Sequence, residues 1–170
     1  MNPAVRTLAG PLLASALAVT LALPGLLAQG AAGAFDPVAD AALAAMKAKA
    51  EAQGIKGTAM VAFAPGDTFT GWTSKALVIG QLVKDSTDPV VKGSNFLGNA
   101  YSKASEMAAT GKDSGGRGKD SPAYWGEVGW KGGATAAGKT GRLFAAFSGG
   151  TGDQDYATSQ AGLAVLKASL

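Results

Sequence analysis

The chain contains neither cysteine nor histidine among its 170 residues. Without cysteine it cannot form disulfides, thiolate zinc sites or a lipidated cysteine. Without histidine it lacks the usual general base near neutral pH and the commonest protein ligand for metals. Ser-His-Asp and Cys-His catalytic arrangements are therefore excluded. The enzyme class that these absences still allow is a hydrolase or lyase that uses lysine or carboxylates. We predict instead that the protein is not an enzyme.

Charged residues are also sparse. They make up 16% of the sequence, against 47% hydrophobic residues, which is typical of a globular protein. The formal net charge is +3, but lysines and acids are interleaved and no run of basic residues occurs. Nucleic-acid binding usually requires a clustered basic face with aromatic residues. We therefore predict no nucleic-acid partner.

Residues 1–34 have the pattern of a secretory signal peptide. Arg6 gives a positive start, Leu8 to Leu27 form an apolar core, and Ala32-Gly33-Ala34 places small residues at positions −3 and −1. The alternative is an uncleaved membrane anchor, because the apolar stretch is long enough to span a bilayer. We predict cleavage after Ala34, which leaves residues 35–170 as one domain of a periplasmic or secreted protein.

Apolar periodicity and turn residues predict the element order αβββαββα. The first helix opens at Asp36-Pro37 and stops at Gly54, and the second follows a cap at Ser94 or Asn95. The helices span residues 36–54, 95–110 and 153–167, and the strands residues 57–64, 68–73, 77–83, 124–131 and 143–148. Short turns between neighbouring strands favour an antiparallel sheet of about five strands with packed helices, an α/β (α+β) fold.

The C-terminal part combines Gly132-Gly133, a hairpin ending in Ser148-Gly149-Gly150, and a helix with Asp155 and Ala161-Gly162. Together with Tyr101-Ser102-Lys103-Ala104 in the middle helix, this order resembles the GlcG/HbpS-like family of small haem-binding domains, which includes the C-terminal domain of PduO-type proteins. The resemblance covers about residues 40–170 and implies a profilin-like fold with haem as the ligand class. We therefore expect a homo-oligomer that binds haem or a related tetrapyrrole, or senses through an envelope partner protein.

Candidate haem-contacting residues follow from the side chains that are present. Haem iron is usually held by His, Cys, Met or Tyr, and only the last two occur here. The methionines and tyrosines in residues 35–170 are Met46, Met60, Met107, Tyr101, Tyr124 and Tyr156. We place a ligand pocket at Tyr101, Met107, Tyr124 and Trp125, and we expect no strong axial ligation. The alternative is a structural or protein-interaction module that has lost ligand binding.

Two further patterns suggest other ligands. Gly133 to Thr140 matches the phosphate-binding pattern G-x-x-x-x-G-K-[ST], but a predicted strand follows where that loop needs a helix. We therefore predict a Gly/Ala-rich hairpin turn there and no ATP binding. Asp153 and Asp155 are spaced as in a calcium loop but lack its remaining ligands, so we predict that they cap a helix.

Overall fold

A computed structural model describes residues 24–90, 92–117 and 124–170. The described residues form three helices, a four-stranded antiparallel sheet and a separate pair of two-residue strands. The elements are α1 (Pro24–Ala52), β1 (Gly57–Pro65), β2 (Thr73–Ile79), β3 (Val83–Lys84), β4 (Ser94–Asn95), α2 (Phe96–Thr110), β5 (Gly133–Ala137), β6 (Gly141–Ser148) and α3 (Gly152–Ser169). The mixed α/β class is confirmed, and the main sheet has four strands where about five were predicted.

The main sheet has the order β2-β1-β6-β5 and is covered on both faces. Alternate residues of β1 point to opposite faces. Ala59, Val61 and Phe63 pack with α1 and α3, whereas Met60 and Ala62 pack with α2. Because both faces are buried, β1 is a nearly continuous apolar run, which is why its sequence predicts it well.

Capping residues mark the starts of α2 and α3, and α3 lies close to α1. The Asn95 side chain accepts a hydrogen bond from the Gly98 N–H at the start of α2, as predicted. A capping box of Thr151 and Gln154 precedes α3, which begins at Gly152, one residue before the predicted start at Asp153. Gly162 of α3 lets α1 approach closely, since a Cβ atom there would lie 2.6 Å from Met46 Sδ.

The predicted start of the first helix at Asp36-Pro37 is wrong, because α1 begins upstream and Pro37 lies inside it. The preceding residues include several alanines, which favour helix formation. The predicted cleavage point after Ala34 therefore falls within α1, and residues 1–23 of the predicted leader lie outside the described residues. None of the helices in the described part of the chain is long and apolar enough to cross a membrane.

Three predicted strands are wrong or shifted. Residues 68–72 are irregular, and β2 begins only at Thr73. The strand predicted at residues 77–83 is divided, because Gly80 has a positive φ of 75° between β2 and β3. Residues 124–131 form a turn and irregular chain. Gly126 (φ 95°) and Gly129 (φ 66°) interrupt the extended conformation there.

Candidate functional site

An ion pair is buried between α2 and α3. Lys103 Nζ lies 2.7 Å from Asp155 Oδ2, and the two side chains are only 2% and 5% exposed. Lys103 Nζ also donates a hydrogen bond to the Phe147 carbonyl, and Asp155 Oδ1 accepts one from the Gly150 N–H. Burial lowers the pKa of Lys103, and the Asp155 charge partly opposes that shift. The ammonium is enclosed by its partners, so Lys103 stabilises the fold and offers no accessible nucleophile.

Two glycines of the C-terminal motif are tightly packed, Gly132 against this ion pair and Gly149 against the chain just before β1. Gly132 has a φ of 139°, and a Cβ atom there would lie 2.4 Å from Lys103 Nζ. Its carbonyl accepts a 2.6 Å hydrogen bond from Ser159 Oγ of α3. Gly149 passes the Lys56 carbonyl so closely that a Cβ atom would come within 2.0 Å of that oxygen. The motif residues therefore meet in one densely packed region.

The segment between α2 and β5, here called the α2–β5 loop, is described for residues 111–117 and 124–132. Ser102 of α2 anchors it, because Ser102 Oγ donates to the Gly126 carbonyl at 2.7 Å and accepts from the Val128 N–H at 2.8 Å. Ser114 Oγ donates to the Trp130 carbonyl and accepts from the Gly133 N–H. These hydrogen bonds fix the backbone of the loop against the rest of the domain.

Aromatic side chains extend from this anchored backbone into solvent. Trp125 is fully exposed, and Tyr124 and Trp130 are 67% and 55% exposed. The Arg117 guanidinium lies 4.4 Å from the centroid of the Tyr124 ring, within the range of a cation–π contact. A loop held in this way presents flat apolar faces that a ligand or a partner protein can cover.

The four predicted pocket residues differ widely in exposure. Tyr101 is half-buried on α2 with its hydroxyl 3.1 Å from Ser74 Oγ, and Met107 is fully buried between α2 and the sheet. Tyr124 and Trp125 lie on the exposed part of the α2–β5 loop. The four side chains therefore do not line one buried pocket. Ser102 appears in the sequence analysis only as part of the helix motif, and its anchoring role was missed because no local pattern marks a serine that bonds a distant loop.

The remaining candidate ligands are engaged in the fold. Met46 and Met60 are fully buried, and the Tyr156 hydroxyl donates a 2.7 Å hydrogen bond to Asp113. Asp153 and Asp155 lie in the first turn of α3, but the prediction that they cap this helix is wrong, because Thr151 is its N-cap and the two carboxylates pair with Lys131 and Lys103. Within the described ranges, no group of three acidic side chains is placed to hold a metal ion.

The stretch that matches the phosphate-binding pattern, residues 133–140, is predicted to be a hairpin turn, but only residues 138–140 form the turn, and residues 133–137 form the unpredicted strand β5, which pairs with β6. Its backbone N–H groups donate within the protein: Thr135 to Asp113 Oδ1, Gly138 to the Gly141 carbonyl and Lys139 to the Leu170 carbonyl. A phosphate-binding loop instead directs these groups to the ligand and opens a helix. The geometry here therefore differs from that of such a loop.

No protein-family model, characterised protein or solved structure matches the chain. Membership of the GlcG/HbpS-like family therefore stays a prediction.

Proposed function

We propose that the chain is an exported, non-enzymatic binding domain of the GlcG/HbpS-like kind with a profilin-like fold. In this proposal it holds haem or a related tetrapyrrole against the aromatic side chains of the α2–β5 loop. The observation that supports it is the full exposure of Trp125 on a backbone anchored to Ser102. When a planar apolar ring system stacks on Trp125, the face of the indole and the face of the bound ring are both removed from water.

The proposed mode of binding needs no bond to iron. Histidine and cysteine, the common proximal ligands, do not occur in the sequence, and Met107 is fully buried. Lys112 and Lys131 are exposed on the same loop, and Lys131 also pairs with the exposed Asp153 at 2.6 Å. Both ammonium groups would attract the acidic side groups that natural porphyrins carry. Stacking would provide the binding energy, and these lysines would favour an acidic porphyrin over a neutral one.

The test is a titration of the purified protein with haemin and with iron-free protoporphyrin, followed by absorbance and by quenching of tryptophan fluorescence. Trp125→Ala should weaken binding of both porphyrins about tenfold, because a stacked aromatic contact and its buried area contribute about 1–2 kcal/mol. Val90→Ala is the matched control, since Val90 is an exposed apolar residue outside the loop. Equal affinity in wild type and Trp125→Ala would refute the proposed site.

A protein-interaction module is the second candidate, and a different surface favours it. β2 is an edge strand of the main sheet, and Val78 on it is exposed, as are Leu82 and Val83 just beyond it. Exposed apolar residues beside a free strand edge favour association with another chain. We propose that this edge is where a homo-oligomer forms. In sedimentation, Val78→Lys should reduce the oligomer, and the same mass as wild type would exclude this edge.

A further inference from the structure

The two edge strands of the main sheet differ in how their backbones are covered. At the β5 edge, Ser114 Oγ accepts a hydrogen bond from the Gly133 N–H, and the Ser114 N–H donates to the Gly133 carbonyl. Asp113 Oδ1 accepts from the Thr135 N–H on the same edge. The opposite edge strand, β2, pairs with β1 and with no other strand in the described part of the chain. The β2 edge can therefore accept a strand from another molecule, whereas β5 is covered by its own chain.

Exposed apolar side chains accompany the β2 edge. Val78 is exposed on the strand, Phe69 is exposed before it, and Leu82 and Val83 are exposed after it. The one charged residue of the strand, Lys75, lies on the other face from Val78, because the two are an odd number of positions apart.

Lys75 does not oppose the approach of a second strand. Its Nζ lies 2.8 Å from Asp40 Oδ1 of α1, so its charge is compensated within the chain. The face of β2 that points toward α2 carries Ser74, Ala76 and Val78 at its edge, and none of these side chains is charged.

We propose that β2 pairs with β2 of a second copy of the chain, antiparallel and about a two-fold axis at Ala76. The inference rests on the association proposed above for this edge, and it adds the partner strand, the register and the size of the assembly. A two-fold contact between identical edges occupies both of them. Because β5 is covered in each copy, assembly stops at a dimer, in which two four-stranded sheets join into one continuous sheet.

The register follows from the faces of the sheet and from charge. Residues that pair across an antiparallel ladder lie on the same face, so a two-fold axis perpendicular to the sheet must place one residue opposite itself. An axis at Lys75 would place two ammonium groups opposite each other, which is destabilising. An axis at Leu77 would place Ser74 opposite Gly80, beyond the end of β2. Ala76 is the middle of the strand, and an axis there pairs all seven of its residues.

This register also brings the exposed apolar residues together. Val78 lies opposite Ser74 of the second copy and diagonal to its Ala76, on the face toward α2. The chain just before β2, with Phe69, then runs beside the chain just after β2 of the second copy, with Leu82 and Val83. Because the arrangement is symmetric, each contact occurs twice and removes apolar surface of both copies from water.

The experiment is disulfide cross-linking of single-cysteine variants, which is unambiguous because the protein has no cysteine of its own. Directly opposite Cα atoms in antiparallel strands are about 4.5–5.5 Å apart, a distance that a disulfide spans. Ala76→Cys should therefore form a covalent dimer under mild oxidation. Ala137→Cys is the matched control, since Ala137 is also an exposed alanine on an edge strand, β5. It should cross-link at least about tenfold more slowly, because its thiols meet only by collision.

Val78→Cys tests the register. Two Val78 residues would lie four positions, or about 13 Å, out of register, which is too far for a disulfide. Val78→Cys should therefore cross-link no faster than Ala137→Cys. Faster cross-linking of Val78→Cys than of Ala76→Cys would overturn the axis at Ala76.

Sedimentation of the wild-type protein over a range of concentrations tests the size of the assembly and should give the mass of two chains. A monomer at every concentration would refute both this inference and the association at the β2 edge. An assembly larger than a dimer, or a dimer in which Ala76→Cys cross-links no faster than Ala137→Cys, would overturn the two-fold pairing alone. The association at the edge would then still be judged by Val78→Lys.

Discussion

Lys103 and Asp155, which are 52 positions apart in the sequence, form a 2.7 Å ion pair that is almost completely buried. The pair joins the middle of α2 to the first turn of α3, and through the Phe147 carbonyl it also contacts the end of β6. Breaking a buried ion pair leaves an uncompensated charge, which costs more than the pair itself contributes. This relationship explains why Gly132 has no side chain, since a Cβ atom there would overlap both Lys103 and Asp155.

Lys103→Met should lower the free energy of unfolding by about 3–5 kcal/mol, because Asp155 then stays buried without its cation. The double variant Lys103→Met/Asp155→Asn should lose less than the sum of the single variants, since it removes both charges. Denaturant unfolding measures each value. Lys131→Met breaks the exposed pair with Asp153 and is the control, with an expected loss of less than about 1 kcal/mol. Equal losses for Lys103→Met and Lys131→Met would contradict a structural role for the buried pair.

Gly132→Ala should be strongly destabilising. The backbone there has a φ of 139°, and the new Cβ would come within 2.7 Å of Asp155 Cβ as well as overlapping Lys103. Backbone strain and overpacking together give an expected loss of about 2–4 kcal/mol.

Gly126→Ala separates the two causes of that loss. Gly126 also has a positive φ, but a Cβ atom there would have no neighbour within 4 Å. Its expected loss is about 1–2 kcal/mol, from strain alone. The same thermal shift in both variants would show that packing against the ion pair is unimportant at Gly132.

Local patterns in the sequence predict the elements whose own residues determine their conformation. The apolar run of β1, the Asn95 cap and the strand at residues 143–148 within β6 belong to this group. The predicted strand at residues 124–131 fails because its alternating aromatic residues resemble a sheet, while hydrogen bonds to Ser102 set its conformation. The Lys103–Asp155 pair depends on a contact between residues that are 52 positions apart, which local sequence patterns do not encode.

Lys139→Ala should leave stability unchanged within about 0.5 kcal/mol. Lys139 is exposed in the turn between β5 and β6, and its hydrogen bond to the Leu170 carbonyl uses the backbone N–H, which alanine keeps. Calorimetry with ATP should show no saturable binding to the wild type or the variant. Saturable ATP binding that Lys139→Ala abolishes would instead identify a real nucleotide site in residues 133–140.

The mature protein should begin at Phe35. The charged start, the apolar core and the Ala-Gly-Ala exit predict removal of residues 1–34. Phe35 is fully buried, so a cut after Ala34 keeps this core residue, and Pro37 then falls in the first turn of a shortened α1. Intact mass spectrometry of protein recovered from the cell envelope measures the start. Recovery only in membranes, with the leader intact, would favour the anchor.

The final prediction concerns the chemistry of porphyrin binding. If binding depends on stacking and not on an iron ligand, iron-free protoporphyrin should bind about as tightly as haemin. Tyr101→Phe and Met107→Leu should then change the affinity less than twofold, because the Tyr101 hydroxyl is engaged near Ser74 and Met107 lies within the core. A conservative replacement of Met107 keeps the core filled, so a loss of affinity could not be attributed to a cavity.

A sharp, stoichiometric Soret shift with haemin alone, removed by one Met or Tyr substitution, would identify an axial ligand and contradict the stacking mode. No spectral change with either porphyrin would favour the interaction module, whose partner surface would then be sought at Trp125 and at the β2 edge.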